Sequence, residues 1–311
     1  MSTSITSRSF QIASEDDFWR ARQLLIDLYP ITGQGFCWEI RRWDGQRFHS
    51  DDAQLNPDWT RTIHLWETAA GQLIGMVHPE GGQGDAYFEI HPDYRSRIED
   101  EMITWAEANL AAPDQTGKPR LETFVFEHDA PRQQVLAQHG FTKASDFGGV
   151  MRHLRIGEQP LPPVEIAPGY TLRETRSEQA DYERMAALLN AAFNRNIHTA
   201  REYENFVLKA PCFRHDLNLV AEAPDGSFAA HVGMAYEPMN RWSIFEPVCT
   251  HPDHQRKGLA RSLMFEGLHR LKAVGAQHVH VDTGSGAGQN AFYNTIGFTE
   301  AYVGYYWTKV F

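Results

Sequence analysis

The sequence predicts an α/β protein that contains two copies of one fold, each with helices around a single sheet. Strand-like and helix-like spacings of apolar residues alternate in both halves of the chain. His91-Pro92-Asp93 recurs as His251-Pro252-Asp253, 160 positions later, and Gly140-Phe141 recurs as Gly297-Phe298, 157 positions later. Between the halves, residues 159–168 are rich in proline, which neither a helix nor a central strand tolerates.

This repeat divides the 311 residues into three parts. We expect one domain over residues 1–157, a linker over 158–168 and a second domain over 169–311. In the first domain the spacing predicts these elements in order: a helix at 15–29, strands at 63–67, 73–77 and 87–90, a helix at 98–110, a strand at 121–126, a helix at 131–138 and a strand at 150–156.

The second domain shows a similar order of elements. Ser177 is the predicted cap of its first helix, and Gly275 is the predicted end of its longest helix. The predicted elements are helices at 177–193 and 200–208, strands at 217–221, 228–236 and 242–250, a long helix after Gly258, a strand from His278, a helix around Tyr293 and a last strand at 301–310.

The loop between strand 242–250 and the long helix reads Gln-Arg-Lys-Gly-Leu-Ala over residues 255–260. The first turn of a helix has unpaired backbone N–H groups and the positive end of the helix dipole, so a loop with little bulk there can bind a phosphate through its amides. Gly258 and Ala260 lack bulk, and Arg256 and Lys257 add positive charge. The loop therefore predicts a pyrophosphate site.

The same residues resemble a known family. The order strand, His-Pro-Asp, Gln-x-x-Gly-x-Ala, helix resembles the acetyl-CoA-binding motif of the GCN5-related N-acetyltransferases (GNAT). Residues 290–298 resemble the Tyr-x-x-x-Gly-Phe segment of that family and place Gly297 39 positions after Gly258, about the family's distance. The resemblance covers roughly residues 168–311, and the tandem arrangement is similar to that of mycothiol synthase and related two-copy members.

The resemblance implies an acetyl-CoA-dependent N-acetyltransferase whose C-terminal domain transfers the acyl group directly to a primary amine of a small molecule or peptide. It also implies a mixed, mostly antiparallel sheet in each domain. The residues expected to bind the cofactor are Val248, Cys249, Thr250, Gln255, Arg256, Lys257, Gly258, Leu259, Ala260 and Asn290. Candidate acceptor contacts are Asn194, His198 and Tyr203.

Glu246 is the candidate general base. By strand parity it shares one face with Trp242, Ile244, Val248 and Thr250, and it is the only ionisable group among them. Apolar neighbours would raise its pKa, as a base requires. The alternative is that Glu246 is simply a charged residue at the solvent-exposed end of the strand. Pro247 cannot donate a ladder hydrogen bond, which predicts a bulge or a splayed strand here.

Tyr293 matches the family tyrosine that returns a proton to the thioester sulfur, since a phenol stays protonated at neutral pH. The alternative is an aromatic packing residue beside Phe292. Asn290 either contacts the cofactor or caps the helix. Cys249 faces away from Glu246 by parity, which predicts a buried core thiol rather than an acyl carrier.

The first copy differs where the chemistry would occur. Ile98 replaces the loop glycine and Asp100 replaces the alanine, within the run Glu99-Asp100-Glu101. Acidic residues suit a helix N-terminus, but they repel a pyrophosphate. Leu136 stands in place of Tyr293. We therefore expect the N-terminal domain to be a degenerate copy that does not bind the cofactor.

Several other site types are disfavoured. Residues 284–288 read Gly-Ser-Gly-Ala-Gly, but Gln289 stands where a dinucleotide fingerprint needs its third glycine. His278 and His280 share a strand face without a third ligand at metal spacing, so we expect no metal. Three cysteines, Cys37, Cys212 and Cys249, have no ligand spacing and suit a reducing compartment.

Composition limits the partners and the location. The net charge of −11 disfavours nucleic acid and favours a cationic amine acceptor. No apolar run reaches the ~18 residues of a transmembrane helix, and no signal-peptide core is present, so we expect a cytoplasmic protein without a membrane partner. A non-catalytic acyl-CoA-binding sensor or scaffold remains an alternative, because the cofactor loop is clearer than the catalytic carboxylate.

Overall fold

The structure, a computed structural model, describes residues 4–11, 15–32, 38–49, 61–80 and 84–311, apart from the side chains of 146 and 147. The chain divides into two compact units. Unit 1 contains Met1–Gln46, Gln54–Val150 and Tyr302–Phe311, and unit 2 contains Arg47–Ala53 and Met151–Ala301. Cys37 lies outside the described residues.

Unit 1 contains two antiparallel sheets. In chain order its elements are β1 (Ile5–Ser9), α1 (Asp16–Thr32), α2 (Ile40–Phe48), β2 (His64–Thr68), β3 (Leu73–His78), β4 (Tyr87–Ile90), α3 (Arg95–Asn109), β5 (Ala112–Pro113), β6 (Pro119–Phe126), α4 (Ala130–Gln138), most of β7 (Thr142–Arg155) and most of β13 (Glu300–Val310). The strand order is β1-β2-β3-β4 in one sheet and β5-β6-β13-β7 in the other.

Unit 2 has one sheet, of order β7-β12-β11-β10-β9-β8, to which β7 contributes the residues after Val150. Strands β8 to β11 pair antiparallel, whereas β11 and β12 pair parallel. Its elements are β8 (Thr171–Glu174), α5 (Gln179–Phe193), α6 (Ala200–Lys209), β9 (Asn218–Glu222), β10 (Phe228–Glu237), β11 (Trp242–Thr250), α7 (Leu259–Ala273), β12 (His278–Gly284) and α8 (Ala287–Ile296). The predicted mixed, mostly antiparallel sheet is confirmed.

The core of unit 2 lies between α7 and the sheet. Leu263, Leu268 and Leu271 of α7 are fully buried against strand residues such as Val232. A Cβ at Gly267 would meet Met234 Sδ at 2.7 Å and Phe245 Cε1 at 2.8 Å. Glycine at this position therefore lets the middle of α7 approach Met234 and Phe245 this closely.

Both units contain the same buried ion-pair network, which the sequence analysis did not detect. In unit 1, Arg8 binds Asp17 with two bonds of 2.6 and 2.7 Å, and the amide of Gln11 donates to the same carboxylate. In unit 2, Arg173 binds Asp181 at 2.7 and 2.8 Å, and the amide of Arg176 donates to it. These bonds join the first strand to the first helix of each copy.

The His-Pro-Asp turn is also the same in both units. His91 Nδ1 accepts from the amide of Asp93 at 3.3 Å, and His251 Nδ1 accepts from the amide of Asp253 at 3.3 Å. The amide of each histidine donates to the neighbouring strand at 2.8 Å. The repeated sequence therefore has the same local structure in both copies, and the copies diverge only after this turn.

Some elements differ from their predicted positions. The spacing did not predict β1, α2 or β8, because their sequences are polar and short. The strand expected at 150–156 already begins at Thr142. The helix expected at 98–110 already begins at Arg95, because the first copy has no glycine to end the turn and its residues continue directly into the helix.

The Asp181 network predicts a pH-dependent loss of stability. Burial alone would raise the pKa of Asp181, but the bonds from Arg173 and from the amide of Arg176 hold it below its ordinary value. The carboxylate therefore stabilises the fold above pH ~4, and this contribution disappears as the pH falls through the lowered pKa. We expect Asp181→Asn to lower the free energy of unfolding by about 3–5 kcal/mol at pH 7. Denaturant titrations at pH 7 and pH 3 should show this difference shrinking in acid.

Arg184→Gln is the matched control, because Arg184 contacts the same carboxylate at 3.4 Å from a more exposed position. It should cost no more than about 1 kcal/mol. Equal losses for the two variants at pH 7 would contradict a central role for the Arg173 bonds.

Candidate functional site

The loop before α7 presents free backbone amides. Gly258 is the N-cap, with φ +76°, and no side chain caps the helix. The amides of Arg256, Lys257 and Gly258 donate to no group of the described residues, and residues 255–258 are exposed. A Cβ at Gly258 would meet nothing within 4 Å. The glycine is therefore required by its left-handed backbone, and open space lies beside it.

Two side chains, those of Tyr170 and His254, fix the position of Lys257. Its Nζ donates to the Tyr170 hydroxyl at 2.9 Å and lies 5.5 Å from the Tyr170 ring centre. The same hydroxyl lies 2.8 Å from His254 Nδ1. Lys257 forms no ion pair with a carboxylate of the described residues, so its positive charge at the loop is not neutralised by the protein.

The corresponding residues of unit 1 are helical. Arg95 occupies the position of Gln255 and begins α3, so no exposed loop separates the turn from the helix. Ile98, at the glycine position, is buried, and its Cδ1 would lie 2.8 Å from a Cβ at Gly75. Glu99 is buried and binds Arg95 at 2.8 Å and Arg132 at 2.8 Å. In unit 1 the first turn of the helix is thus occupied by a buried isoleucine and by a carboxylate that binds two arginines.

Strand β11 contains the predicted bulge, at Glu246 and Pro247. Val232 pairs with Val248 and Met234 with Phe245, so two residues of β11 lie opposite Gly233 alone. A Cβ at Gly233 would meet the Glu246 carbonyl oxygen at 2.7 Å, which leaves room only for glycine. The Glu246-Pro247 peptide bond is cis.

The bulge makes the predicted strand parity wrong beyond Glu246. Val248 packs with Phe245 in the core beneath α7, whereas Cys249 packs with α5 and α6. Val248 and Thr250 are therefore not on the face of Ile244, because the extra residue reverses the alternation. Glu246 is half-buried at the bulge itself.

Strands β11 and β12 separate after three residue pairs. Their pairing runs from Trp242 with His278 to Ile244 with His280 and then stops, although both strands continue. On its other side β11 stays paired with β10 as far as Thr250. In the part of the chain that the structure describes, the edge of β11 that faces β12 thus has no strand partner from Pro247 to Thr250.

Tyr293 lies on α8 near both separated strands. It is 8% exposed, and its ring contacts Phe298 at a centroid distance of 6.1 Å. Burial, followed by the charges of Asp282 on β12 and Cys249 on β11, raises the pKa of Tyr293 to about 12. Its hydroxyl forms no hydrogen bond with a described residue. The phenol therefore stays protonated at neutral pH and has a proton available for a ligand.

Arg152 holds α8 in place and was missed by the sequence analysis. This buried guanidinium donates from Nε to the Phe298 carbonyl at 3.1 Å, from Nη1 to Asn290 Oδ1 at 3.0 Å and from Nη2 to Asn294 Oδ1. No carboxylate of the described residues pairs with it. Its planar guanidinium thus donates hydrogen bonds to two successive turns of the helix that contains Tyr293. The sequence gives no indication of this, because β7 is 138 positions from Asn290.

The side-chain amide of Asn290 forms its hydrogen bonds within the protein. Its Nδ2 donates to the carbonyls of Gly284 and Gly286, each at 2.9 Å, and its Oδ1 accepts from Arg152. Gly286, not Asn290, is the N-cap of α8. The side chain therefore braces the glycine-rich loop that follows β12.

The three acceptor candidates have different environments. Asn194 ends α5 with φ +51° and lines an open groove of ≈ 450 Å³ together with Asn190, Arg195 and Asn196. His198 Nδ1 lies 3.1 Å from Glu202 Oε2, and Asn190 holds its backbone at 2.9 and 3.0 Å. Tyr203 is buried near Cys249.

Glu202 and Arg195 are two further residues here that sequence reasoning missed. Burial opposes the charge of Glu202, but bonds from His198 and His49 lower its pKa to about 2, so it orients His198 as a permanent carboxylate. The Arg195 guanidinium lies 4.7 Å from the ring centre of Phe193 and pairs with no described carboxylate. Arg195 lies in a polar loop and Glu202 in the first turn of α6, where the sequence marks them only as polar residues near His198.

Cys249, His278 and His280 do not form a reactive site. Burial raises the pKa of the Cys249 thiol to about 12, so it stays protonated and is a poor nucleophile. The two histidines pack with His153, whose Nε2 lies 3.1 Å from His278 Nδ1. Within the described ranges, no group of three or more His, Cys, Asp or Glu side chains is arranged to hold a metal ion. No described helix is long and apolar enough to cross a membrane.

Comparison with known proteins agrees with this geometry. Residues 182–298 match the model of the Acetyltransferase (GNAT) family. The segment of unit 2 that contains β11, the loop before α7 and Tyr293 is therefore similar to the GNAT acetyltransferases. Mycothiol acetyltransferase from Rhodococcus opacus (strain B4) is 26% identical over 251 residues, which is 76% of this chain and 79% of that protein.

Solved structures show that the GNAT fold occurs in tandem. A GCN5-related N-acetyltransferase from Sphaerobacter thermophilus superposes with a TM-score of 0.67 at 15% identity, covering 98% of this chain and 95% of its own. A tandem GNAT protein from the clavulanic acid biosynthesis pathway gives a TM-score of 0.66 at 15% identity, covering 99% and 98%. At 15% sequence identity the structural similarity establishes the fold alone. The similarity extends over both units, because it covers 98–99% of this chain.

The hydrogen bonds from Arg152 to α8 predict that substitutions at Arg152 and Tyr293 have coupled effects on the reaction rate. Arg152→Lys keeps the charge but loses the planar group of donors, so α8 should shift slightly. We expect thiol release from acetyl-CoA to slow by up to about 10²-fold, because small displacements of a reacting group are costly. In a Tyr293→Phe background the same change should have little further effect.

The control is Arg155→Lys, an exposed arginine on the same strand. It should leave the rate unchanged in both backgrounds. If Arg152→Lys and Tyr293→Phe reduce the rate independently, Arg152 does not act through Tyr293.

Proposed function

We propose that this protein transfers the acetyl group of acetyl-CoA directly to a primary amine of a small molecule or peptide, and that only unit 2 does so. The observation that carries the proposal is the contrast between two equivalent turns. The turn before α7 leaves the amides of Arg256 to Gly258 unpaired. The turn before α3 continues directly into the helix, where the buried Glu99 carboxylate binds Arg95 and Arg132. Unit 1 would then be a degenerate copy.

The residues of unit 2 fit a CoA thioester. The unpaired amides and the charge of Lys257 suit a pyrophosphate, and the open space beside Gly258 allows its approach. The free edge of β11 near Val248 and Thr250 suits the amide groups of a pantetheine arm, which pair with backbone as a strand does. Bound there, acetyl-CoA supplies an acyl thioester.

Glu246 and Tyr293 would handle the two protons of the reaction. Glu246, at the bulge, accepts the proton that the amine loses as its nitrogen bonds to the acyl carbon. Tyr293 donates its phenol proton to the sulfur as the carbon–sulfur bond breaks, and the products are an amide and free CoA. The raised pKa of Tyr293 keeps that proton in place until the thiolate forms.

The acceptor would enter beside the loop that contains Asn194 and His198. Asparagine amides and Arg195 line this groove, so it offers donors and acceptors to a polar amine. The name of the 26% identical relative makes the amine acetylated in mycothiol formation the first candidate for a screen. CoA binding without acetyl transfer to any amine would favour a sensor instead.

The loop predicts one CoA site for each chain. Calorimetry with CoA should give a stoichiometry near one, and Gly258→Glu should abolish binding because the added carboxylate repels the pyrophosphate. Gly258→Ala separates charge from backbone strain. It should weaken binding only modestly, because its Cβ meets no neighbour although the φ of +76° is unfavourable for alanine.

Lys257 and Arg97 are a matched pair at equivalent positions of the two copies. Lys257→Glu should weaken CoA binding at least tenfold, whereas Arg97→Glu should have no effect. Two equal sites, or a loss with Arg97→Glu, would contradict the proposal that unit 1 binds no CoA.

The two proton-transfer roles predict different pH profiles. Glu246→Gln and Tyr293→Phe should each slow turnover about 10²–10⁴-fold without weakening CoA binding. Tyr293→Phe should keep the acidic limb of the pH profile, which the base sets, whereas Glu246→Gln should lose or displace it. Stopped-time assays of thiol release between pH 5 and pH 10 would measure both.

Wild-type turnover and pH dependence in Glu246→Gln would show that the base is elsewhere. His198, oriented by Glu202, would then be the next residue to replace. Full activity of Tyr293→Phe would likewise exclude the phenol as the acid.

A further inference from the structure

The proline-rich segment between the two copies lies along α7 of unit 2. We call residues 157–170 the strap. Polar side chains of α7 donate to its backbone carbonyls: Lys272 Nζ to those of Gly157 and Gln159, each at 2.9 Å, His269 Nε2 to that of Pro162 at 2.9 Å, and Ser262 Oγ to that of Glu165. Prolines have no N–H, so a proline-rich chain suits a helix face that offers donors.

The strap runs antiparallel to α7. Its bonds move back along the helix, from Lys272 to Ser262, as its own residue numbers rise. Its apolar side chains are half-buried against the core of unit 2 and include Leu161, Val164, Ile166 and Ala167. The strap is therefore packed on the helix along its length, and its last residue, Tyr170, reaches the loop before α7.

Tyr170 connects the strap to that loop. Its hydroxyl oxygen accepts from Lys257 Nζ at 2.9 Å, and its ring centre lies 5.5 Å from the same ammonium. The hydroxyl proton is then donated to His254 Nδ1 at 2.8 Å, in the tautomer with the imidazole proton on Nε2. Lys257 Nζ also donates to the Asp253 carbonyl at 3.4 Å. Since an ammonium has three N–H donors, one is left for a ligand.

The equivalent position of unit 1 has no hydroxyl. Tyr170 stands three residues before Arg173, as Ile5 stands three before Arg8, and the two arginines form the same ion pairs. Ile5 is apolar, so it cannot hold the basic residue of its own turn by a hydrogen bond. That residue, Arg97, lies 5.8 Å from the ring centre of Tyr94 instead. The tyrosine thus occurs in the copy whose turn is followed by an exposed loop.

We propose that Tyr170 is a positioning residue of the cofactor site: the strap places its hydroxyl so that Lys257 is already held at the loop when CoA arrives. The inference rests on the CoA site proposed for unit 2. A lysine side chain loses rotamer freedom when it binds a phosphate, and a side chain that the protein already holds loses less. Tyr170 acts through Lys257, so its hydroxyl and the lysine charge should contribute to CoA binding jointly.

Calorimetry with CoA on the full chain tests this coupling. Tyr170→Phe keeps the ring and removes only the hydroxyl, and it should weaken CoA binding about three- to tenfold. Lys257→Gln should weaken binding at least as much. The double variant should bind no more weakly than Lys257→Gln alone, because the hydroxyl has then lost its partner. Tyr94→Phe removes a hydroxyl at the equivalent turn of unit 1 and should leave binding unchanged.

Amide hydrogen exchange shows whether the coupling also runs from CoA to the strap, as reciprocity requires. In the wild type, CoA should slow exchange over residues 164–170 and in the loop. In Tyr170→Phe the loop should stay protected by saturating CoA while residues 164–170 are not. A strap tyrosine that only packs would show no such difference.

Thermal unfolding of each variant shows whether it is folded. Wild-type CoA affinity in Tyr170→Phe, or losses that multiply in the double variant, would overturn the positioning role while the CoA site stands. A wild-type chain that binds no CoA would overturn the proposed site itself, and this inference with it.

Discussion

The start of α7 is the constraint on which the rest of the site depends. In unit 1 the helix begins directly at the His-Pro-Asp turn, at Arg95 of α3, so that no loop lies between the turn and the helix. In unit 2 the helix begins only at Leu259, because Gly258 adopts a left-handed backbone that ends the preceding loop. As a consequence, the amides of Arg256, Lys257 and Gly258 are left without a described acceptor at the positive end of the helix, an arrangement that suits an anion.

The neighbouring elements act as supports for that site. Gly267 lets α7 pack against Met234 and Phe245, and Gly233 leaves room for the bulge at Glu246. The bulge and the early end of the β11–β12 pairing open one strand edge next to the anion site. Arg152 then fixes α8, so the phenol of Tyr293 has a defined position near both separated strands. The two glycines and the strand separation position backbone groups, and Arg152 positions the Tyr293 proton, beside the gap between β11 and β12.

The sequence was sufficient for the family resemblance, the repeated fold and the position of the bulge, because each depends on residues adjacent in the chain. The glycine, the His-Pro-Asp turn and Pro247 constrain backbone locally, so short motifs reveal them. The strand parity was wrong because a single inserted residue reverses every later side chain. Arg152 and the Arg173–Asp181 network escaped prediction because their partners come from distant segments, and only the folded chain brings them together.

Amide hydrogen exchange with and without CoA tests most directly whether one of two equivalent turns became the cofactor site. CoA should slow exchange at residues 255–261 in unit 2 and leave exchange at residues 95–101 in unit 1 unchanged. Protection of both segments, or of neither while CoA still binds, would contradict it.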